Sequence, residues 1–79
     1  MRGSFPEAGV ARLAVFDVLG RRVRRIFEGP RNAGEFAAQW DGRDETGRAA
    51  PAGVYFYRLE LRSPGSPAAV RSTTITLVR

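Results

Sequence analysis

The 79-residue sequence contains no cysteine, no histidine and no lysine. Without cysteine there is no disulfide, no thiolate nucleophile and no zinc–thiolate site. Without histidine the chain lacks the commonest general base and the commonest metal ligand, and without lysine it lacks the amine of Schiff-base chemistry. We therefore expect no enzyme activity, and we predict no catalytic residues, no cofactor and no metal site.

Long apolar runs are also absent, since none approaches the roughly 20 residues that span a bilayer. The net charge is +5, and all 13 basic residues are arginine. Because both halves of the chain carry similar numbers of arginines and acids, there is no basic tail and nucleic acid is not favoured as a partner. One dense basic run remains, and it is a candidate anion-binding site or a charge-protected edge strand: Arg21, Arg22, Arg24 and Arg25.

What is present is a pattern of short alternating segments separated by turn residues, with no helical window. Strands are predicted at 10–16, 22–28, 35–40, 53–62 and 70–79, with a short edge strand at 4–8. Residues 29–34 are predicted to form a loop. Length and spacing favour one domain, a small antiparallel sandwich, with a five-stranded barrel as the alternative.

Alternation also predicts which side chains face the core. The inward sets are Ala11, Leu13 and Val15; Phe36, Ala38 and Trp40; Tyr55, Tyr57, Leu59 and Leu61; and Thr73, Ile75 and Leu77. The second strand alternates imperfectly, because Val23 and Ile26 are three residues apart. A β-bulge would reconcile the two positions.

Several residues with possible chemistry are better explained as turn or core residues. Asp17 and Gly20 suit a hairpin turn, and Asp41 and Gly42 suit a second turn after a buried Trp40. Asp41, Asp44 and Glu45 lack the spacing of a calcium loop. Tyr55 and Tyr57 are predicted to lie in the core, with one hydroxyl bonded to a loop backbone, rather than to stack on sugars.

Ordered blocks of this sequence resemble a known family. They are LAVFDVLGRRV at 13–23, AG at 33–34, WDGRD at 40–44, GR at 47–48 and PAGVYFYRL at 51–59, where Gly53 precedes the strand. Together they resemble the FlgD-type immunoglobulin-like domain and the similar C-terminal sorting domains of type IX secretion cargo. The resemblance runs over residues 5–79 and implies an immunoglobulin-like β-sandwich of five to seven strands, here lacking its first strand. Residues 1–4 are predicted to be a tag or linker remnant.

The resemblance implies a non-catalytic module at the bacterial cell surface or outside the cell, which serves in secretion sorting, anchoring or assembly. Its expected partners are the export machinery, a parent protein or further copies of itself, together with surface polysaccharide. Two other functions stay open. An unpaired sheet edge could build an extracellular filament by strand complementation, and the arginines could bind an anionic polymer.

Overall fold

A computed structural model describes residues 1–79 as six β-strands without a helix. The strands are β1 (Arg2–Phe5), β2 (Gly9–Asp17), β3 (Arg22–Arg31), β4 (Gly34–Ala37), β5 (Gly53–Arg62) and β6 (Ala69–Leu77). They form two antiparallel sheets, one of β1 and β4 and one in the order β3–β2–β5–β6. The predicted all-β antiparallel fold is confirmed as a small sandwich. No helix could cross a membrane.

The two central strands of the larger sheet supply most of the core, as their alternation predicts. Ala11, Leu13 and Val15 of β2 are completely buried. Across the sheet, Leu13 lies opposite Leu59 and Val15 lies opposite Tyr57. These pairs place the apolar faces of β2 and β5 together, because antiparallel partners in register point to the same side of a sheet.

β3 confirms the expected irregularity and corrects the predicted loop. Its pairing with β2 skips Ile26 and Val23, so each of the two apolar residues lies at a break in the register. The strand then continues to Arg31, with Pro30 opposite Val10, where the sequence predicts a loop at 29–34. Proline is tolerated because β3 is an edge strand, whose outward N–H groups need no partner in the sheet.

The smaller sheet covers one side of the larger sheet. β1 pairs with β4, and the rings of Phe5 and Phe36 stack with centroids 4.7 Å apart. Phe27 of β3 meets Phe36 edge to face at 6.2 Å, which joins the two sheets. Because the sheets are separate and have free edges, the closed-barrel alternative is wrong.

The two strands of the smaller sheet have different bounds from those predicted. The N-terminal strand occupies residues 2–5 rather than 4–8, and β4 ends at Ala37 although Trp40 is buried as expected. Residues 1–4 thus include most of β1; their origin as a tag or linker remnant stays a prediction. The missing first strand also stays a prediction.

β6 is the least covered strand. Ile75 and Leu77 are half-buried, but Thr73 is exposed although it lies opposite the buried Tyr57. The prediction that Thr73 belongs to the core is wrong, because β6 is an edge strand of the larger sheet and Thr73 is exposed there.

Candidate functional site

The turn between β2 and β3 is held by the side chain of Asp17. Its Oδ1 atom accepts hydrogen bonds from the backbone N–H groups of Leu19 and Arg21 at 3.0 and 2.9 Å. Gly20 donates to the Asp17 carbonyl and has a φ of 79°, which favours glycine. Arg21 Nε closes the ring at 2.9 Å from Asp17 Oδ2.

A second loop repeats this arrangement between β4 and β5. Asp44 Oδ1 accepts from the backbone N–H groups of Thr46 and Arg48 at 2.9 and 3.1 Å, and Gly47 donates to the Asp44 carbonyl. Thr46 Oγ1 adds a bond of 2.6 Å. Both loops have the spacing Asp-x-x-Gly-Arg, and the recurrence of this motif is the sequence signal for the turn role of Asp44, which is a turn residue rather than a calcium ligand.

Hydrogen bonding lowers the pKa of both aspartates below the usual range. For Asp17 the largest cause is the bond from the Arg21 backbone N–H. For Asp44 the largest cause is the bond from the Thr46 hydroxyl. Donors that approach a carboxylate favour its charged form, so both loops are most stable when the two aspartates are ionised.

We expect the free energy of unfolding to fall as the pH is lowered through the acidic range. Unfolded aspartates titrate near pH ~3.9. Because the folded pKa values are lower, this contribution is present above that pH and is lost as the pH falls through the folded values. Urea unfolding between pH 2 and 7 would measure the slope. The double variant D17N/D44N should flatten it, whereas E7Q/E35Q, which removes two carboxylates without hydrogen bonds, should flatten it much less. Equal slopes for the two double variants would contradict this account.

The segment Trp40-Asp41-Gly42 anchors the second loop to the core. The ring of Trp40 lies edge to face on Tyr55 at 4.8 Å, and its Nε1 donates to the Arg43 carbonyl at 2.8 Å. Asp41 Oδ1 accepts from the Arg43 N–H at 3.0 Å. Gly42 is buried with a φ of 78°, and a Cβ there would lie 3.1 Å from the Arg79 guanidinium. The contacts of all three residues therefore hold the loop against the core, which is a structural role.

Both tyrosines of β5 are buried, and each hydroxyl bonds to backbone. Tyr57 Oη accepts from the Trp40 N–H at 2.8 Å, and Tyr55 Oη donates to the Pro51 carbonyl at 2.5 Å. Gly53, whose φ is 152°, begins the strand. The tyrosines are thus fixed in the core, where their faces are not available to a sugar.

The arginine run does not form one surface. Because the register skips Val23, Arg22 and Arg25 lie opposite Phe16 and Ala14, on the outer face of the larger sheet. Arg24 lies opposite Val15, on the inner side. In a strand of regular alternation Arg22 and Arg24 would share one face, but the skipped residue places them on opposite faces.

Three of the four guanidiniums also have partners. Arg21 is held by the carboxylate of its own loop. Arg24 Nη1 donates to the carbonyl of Asp44 at 3.0 Å, and Arg25 Nη1 lies 3.7 Å from Glu28. Of the four, only Arg22 has no ion pair or side-chain hydrogen bond. The guanidiniums therefore do not converge on one position where an anion could bind.

An apolar opening lies between the two Asp-x-x-Gly-Arg loops at one end of the sandwich. This end cleft has a volume of about 620 Å³ and is lined by both loops and by residues 50–55. Three of its lining side chains are exposed apolar groups: Val18, Leu19 and Val54, with 66%, 73% and 43% of their surface accessible. Charged residues from both loops also line it, among them Arg21 and Glu45.

No group of three or more acidic side chains is placed to hold a metal ion. A family model described as the FlgD Ig-like domain matches residues 6–65. That stretch contains β2 to β5 and both Asp-x-x-Gly-Arg loops. Neither the curated proteins nor the solved structures contain a match to the chain.

Proposed function

Because this chain belongs to the FlgD Ig-like domain family, we propose that it is a non-catalytic module of the bacterial cell surface. It acts in secretion sorting, anchoring or assembly by binding other polypeptides. Ig-like domains are generally non-catalytic, and the side chains that carry chemistry in this chain are used in turns and in the core.

The observation that supports a binding role is the end cleft. Val18 and Leu19 lie at the tip of the β2–β3 turn, where Asp17 accepts hydrogen bonds from two backbone N–H groups and from the Arg21 side chain. A rigid turn that presents two exposed apolar side chains loses little conformational entropy when it binds. Apolar patches with a charged rim are typical of sites where proteins meet.

A polypeptide fits this surface better than a small molecule does. The two apolar side chains project from a turn rather than line an enclosed cavity, since Leu19 is 73% exposed. Drug-sized ligands usually have 70–90% of their surface buried in a pocket, about what a closed cavity provides. A projecting apolar tip instead inserts into a complementary hollow of a partner, as interface anchors do.

The test is the surface display of a secreted reporter that carries this domain at its C-terminus, in the source bacterium. We expect V18S/L19S to reduce the externally accessible reporter about tenfold, because a loss of about 1.4 kcal/mol of binding weakens a complex by that factor. The matched control is V10S on β2, which changes an exposed valine at the opposite end of that strand from the cleft. Thermal melts would verify that both variants fold. Unchanged display of V18S/L19S, or equal losses in both, would refute the cleft as the binding surface.

The two alternatives stay predictions. Filament growth would need strand complementation at a free sheet edge. Binding of an anionic polymer would depend on the arginine run at 21–25, of which Arg22 and Arg25 lie on the outer face of the larger sheet.

A further inference from the structure

The two edges of the four-stranded sheet differ in their protection against added strands. β3, at one edge, contains two breaks of register and a proline at residue 30. It also carries four arginines: Arg22, Arg24, Arg25 and Arg31. Bulges, proline and charge are the devices that keep an edge strand from pairing with another chain. The β3 edge is therefore protected against pairing with a strand of another chain.

β6, at the other edge, has neither a break of register nor a proline, and it carries one charged residue where β3 carries five. It pairs with β5 over nine consecutive positions without a break of register, from Ala69 to Leu77. The strand contains no proline, and its single charged residue is Arg71. Valine, isoleucine and threonine predominate, and these types favour a pleated strand. Its outward backbone N–H and C=O groups thus form a regular, unpaired template.

The inner face of β6 is also open over its first half. Ala69, Arg71 and Thr73 lie opposite the buried residues Leu61, Leu59 and Tyr57, yet all three are exposed. Ala69 and Arg71 line a hollow of about 40 Å³, whose other lining residues include the apolar side chains of Phe5, Leu59 and Leu61. A strand placed along β6 would cover these inward positions.

Arg71 determines which side chain an added strand should carry opposite it. It takes part in no ion pair, whereas the arginines of the outer sheet face at positions 12, 25 and 58 each lie near a glutamate. It also borders a second hollow, together with Arg2 and Glu35. A carboxylate on an added strand opposite Arg71 would form a charge-assisted hydrogen bond with a planar guanidinium.

We propose that β6 is the docking strand for an extended, acidic segment of a partner polypeptide. The segment adds a fifth strand to the larger sheet, places a carboxylate at Arg71 and covers Ala69 and Thr73 with small apolar side chains. The net charge of +5 favours an acidic occupant over a second copy, which would bring another +5 and another Arg71. This inference rests on the proposed function only in that the domain binds polypeptides.

The test uses two synthetic peptides, STVTETVTS and STVTKTVTS, which differ in the central residue. Both alternate so that valine and the central residue share one face of a strand. In an NMR titration of the 79-residue protein, we expect the glutamate peptide to bind about tenfold more tightly than the lysine peptide, as one charge-assisted pair allows. Its shift changes and slowed amide exchange should lie along β6.

Two charge-reversal variants make the comparison specific. R71E should invert the preference between the peptides, whereas R62E, which reverses an exposed arginine on β5 that has no ion pair, should preserve it. Equal affinities of the two peptides for the wild-type protein would overturn the proposal without any need for a variant. So would shift changes confined to the end cleft, or dimerisation of the protein through β6 that excludes both peptides.

The outcome is separable from that of the reporter experiment. If V18S/L19S abolishes surface display while neither peptide binds β6, the proposed function stands and the docking strand is refuted. If the glutamate peptide binds at Arg71 while V18S/L19S displays normally, the docking strand stands and the role of the end cleft is refuted.

Discussion

Replacing Leu13 with alanine is expected to lower the free energy of unfolding by about 2–5 kcal/mol, the range for large-to-small changes in a core. Leu13 is fully buried, and it lies opposite Leu59 on one side and Phe27 on the other. These neighbours belong to paired strands, which cannot easily collapse into the space that the change leaves. The loss is a large share of the roughly 5–15 kcal/mol that holds a typical domain together.

Urea unfolding at neutral pH, followed by tryptophan fluorescence, would measure this change. L19A is the matched control, because it deletes the same atoms from a side chain that is 73% exposed. Its expected effect is within about 0.5 kcal/mol, as for most surface substitutions. A loss below 1 kcal/mol for L13A, or a similar loss for L19A, would show that β2 does not face the core as described.

The second large effect is expected from Y57F, which removes one hydroxyl and leaves the ring. Tyr57 Oη accepts the backbone N–H of Trp40 at 2.8 Å in a buried position. Without that acceptor the N–H has no partner and no access to water, which costs about 1–3 kcal/mol. The variant therefore tests whether the segment after β4 is attached to β5 by this bond.

The control for Y57F lies two residues away. Tyr55 Oη donates to the carbonyl of Pro51, which is an exposed residue. Since water can replace that donor, Y55F should cost only about 0.5–1.5 kcal/mol, the usual net value of a hydrogen bond. Thermal or urea unfolding of the two variants side by side gives the comparison. A Y55F loss that equals or exceeds the Y57F loss would show that burial of the Trp40 N–H is not the decisive factor.

The end cleft illustrates how far local patterns predict a site. The sequence predicts Asp17 and Gly20 as turn residues, because an aspartate three residues before a glycine is a local signal. The same signal occurs at Asp44 and Gly47, but nothing in it shows that the two loops line one opening. That proximity depends on how β2, β3 and β5 pair across the chain.

The arginine run shows where prediction from local spacing fails. A regular strand would place Arg22 and Arg24 on one face. The spacing of Val23 and Ile26 predicts a bulge in this strand, but it does not show how many residues are skipped or which arginines change face. The break at Val23 moves Arg24 to the inner side, where it donates to the Asp44 carbonyl. A shift of one residue reverses every side chain beyond it, so a surface predicted from spacing alone does not survive a bulge.

Composition and alternation alone were enough to predict the fold class, the faces of β2 and β5, the first turn and the buried Trp40, because these features depend on neighbouring residues. Pairing between distant segments determined the rest. It extends β3 through Pro30, leaves Thr73 exposed, and brings Gly9 so close to β5 that a Cβ there would lie 2.3 Å from the Arg62 carbonyl oxygen. The register of a strand and the burial of its side chains depend on the strands beside it, so the sequence of one segment does not determine them.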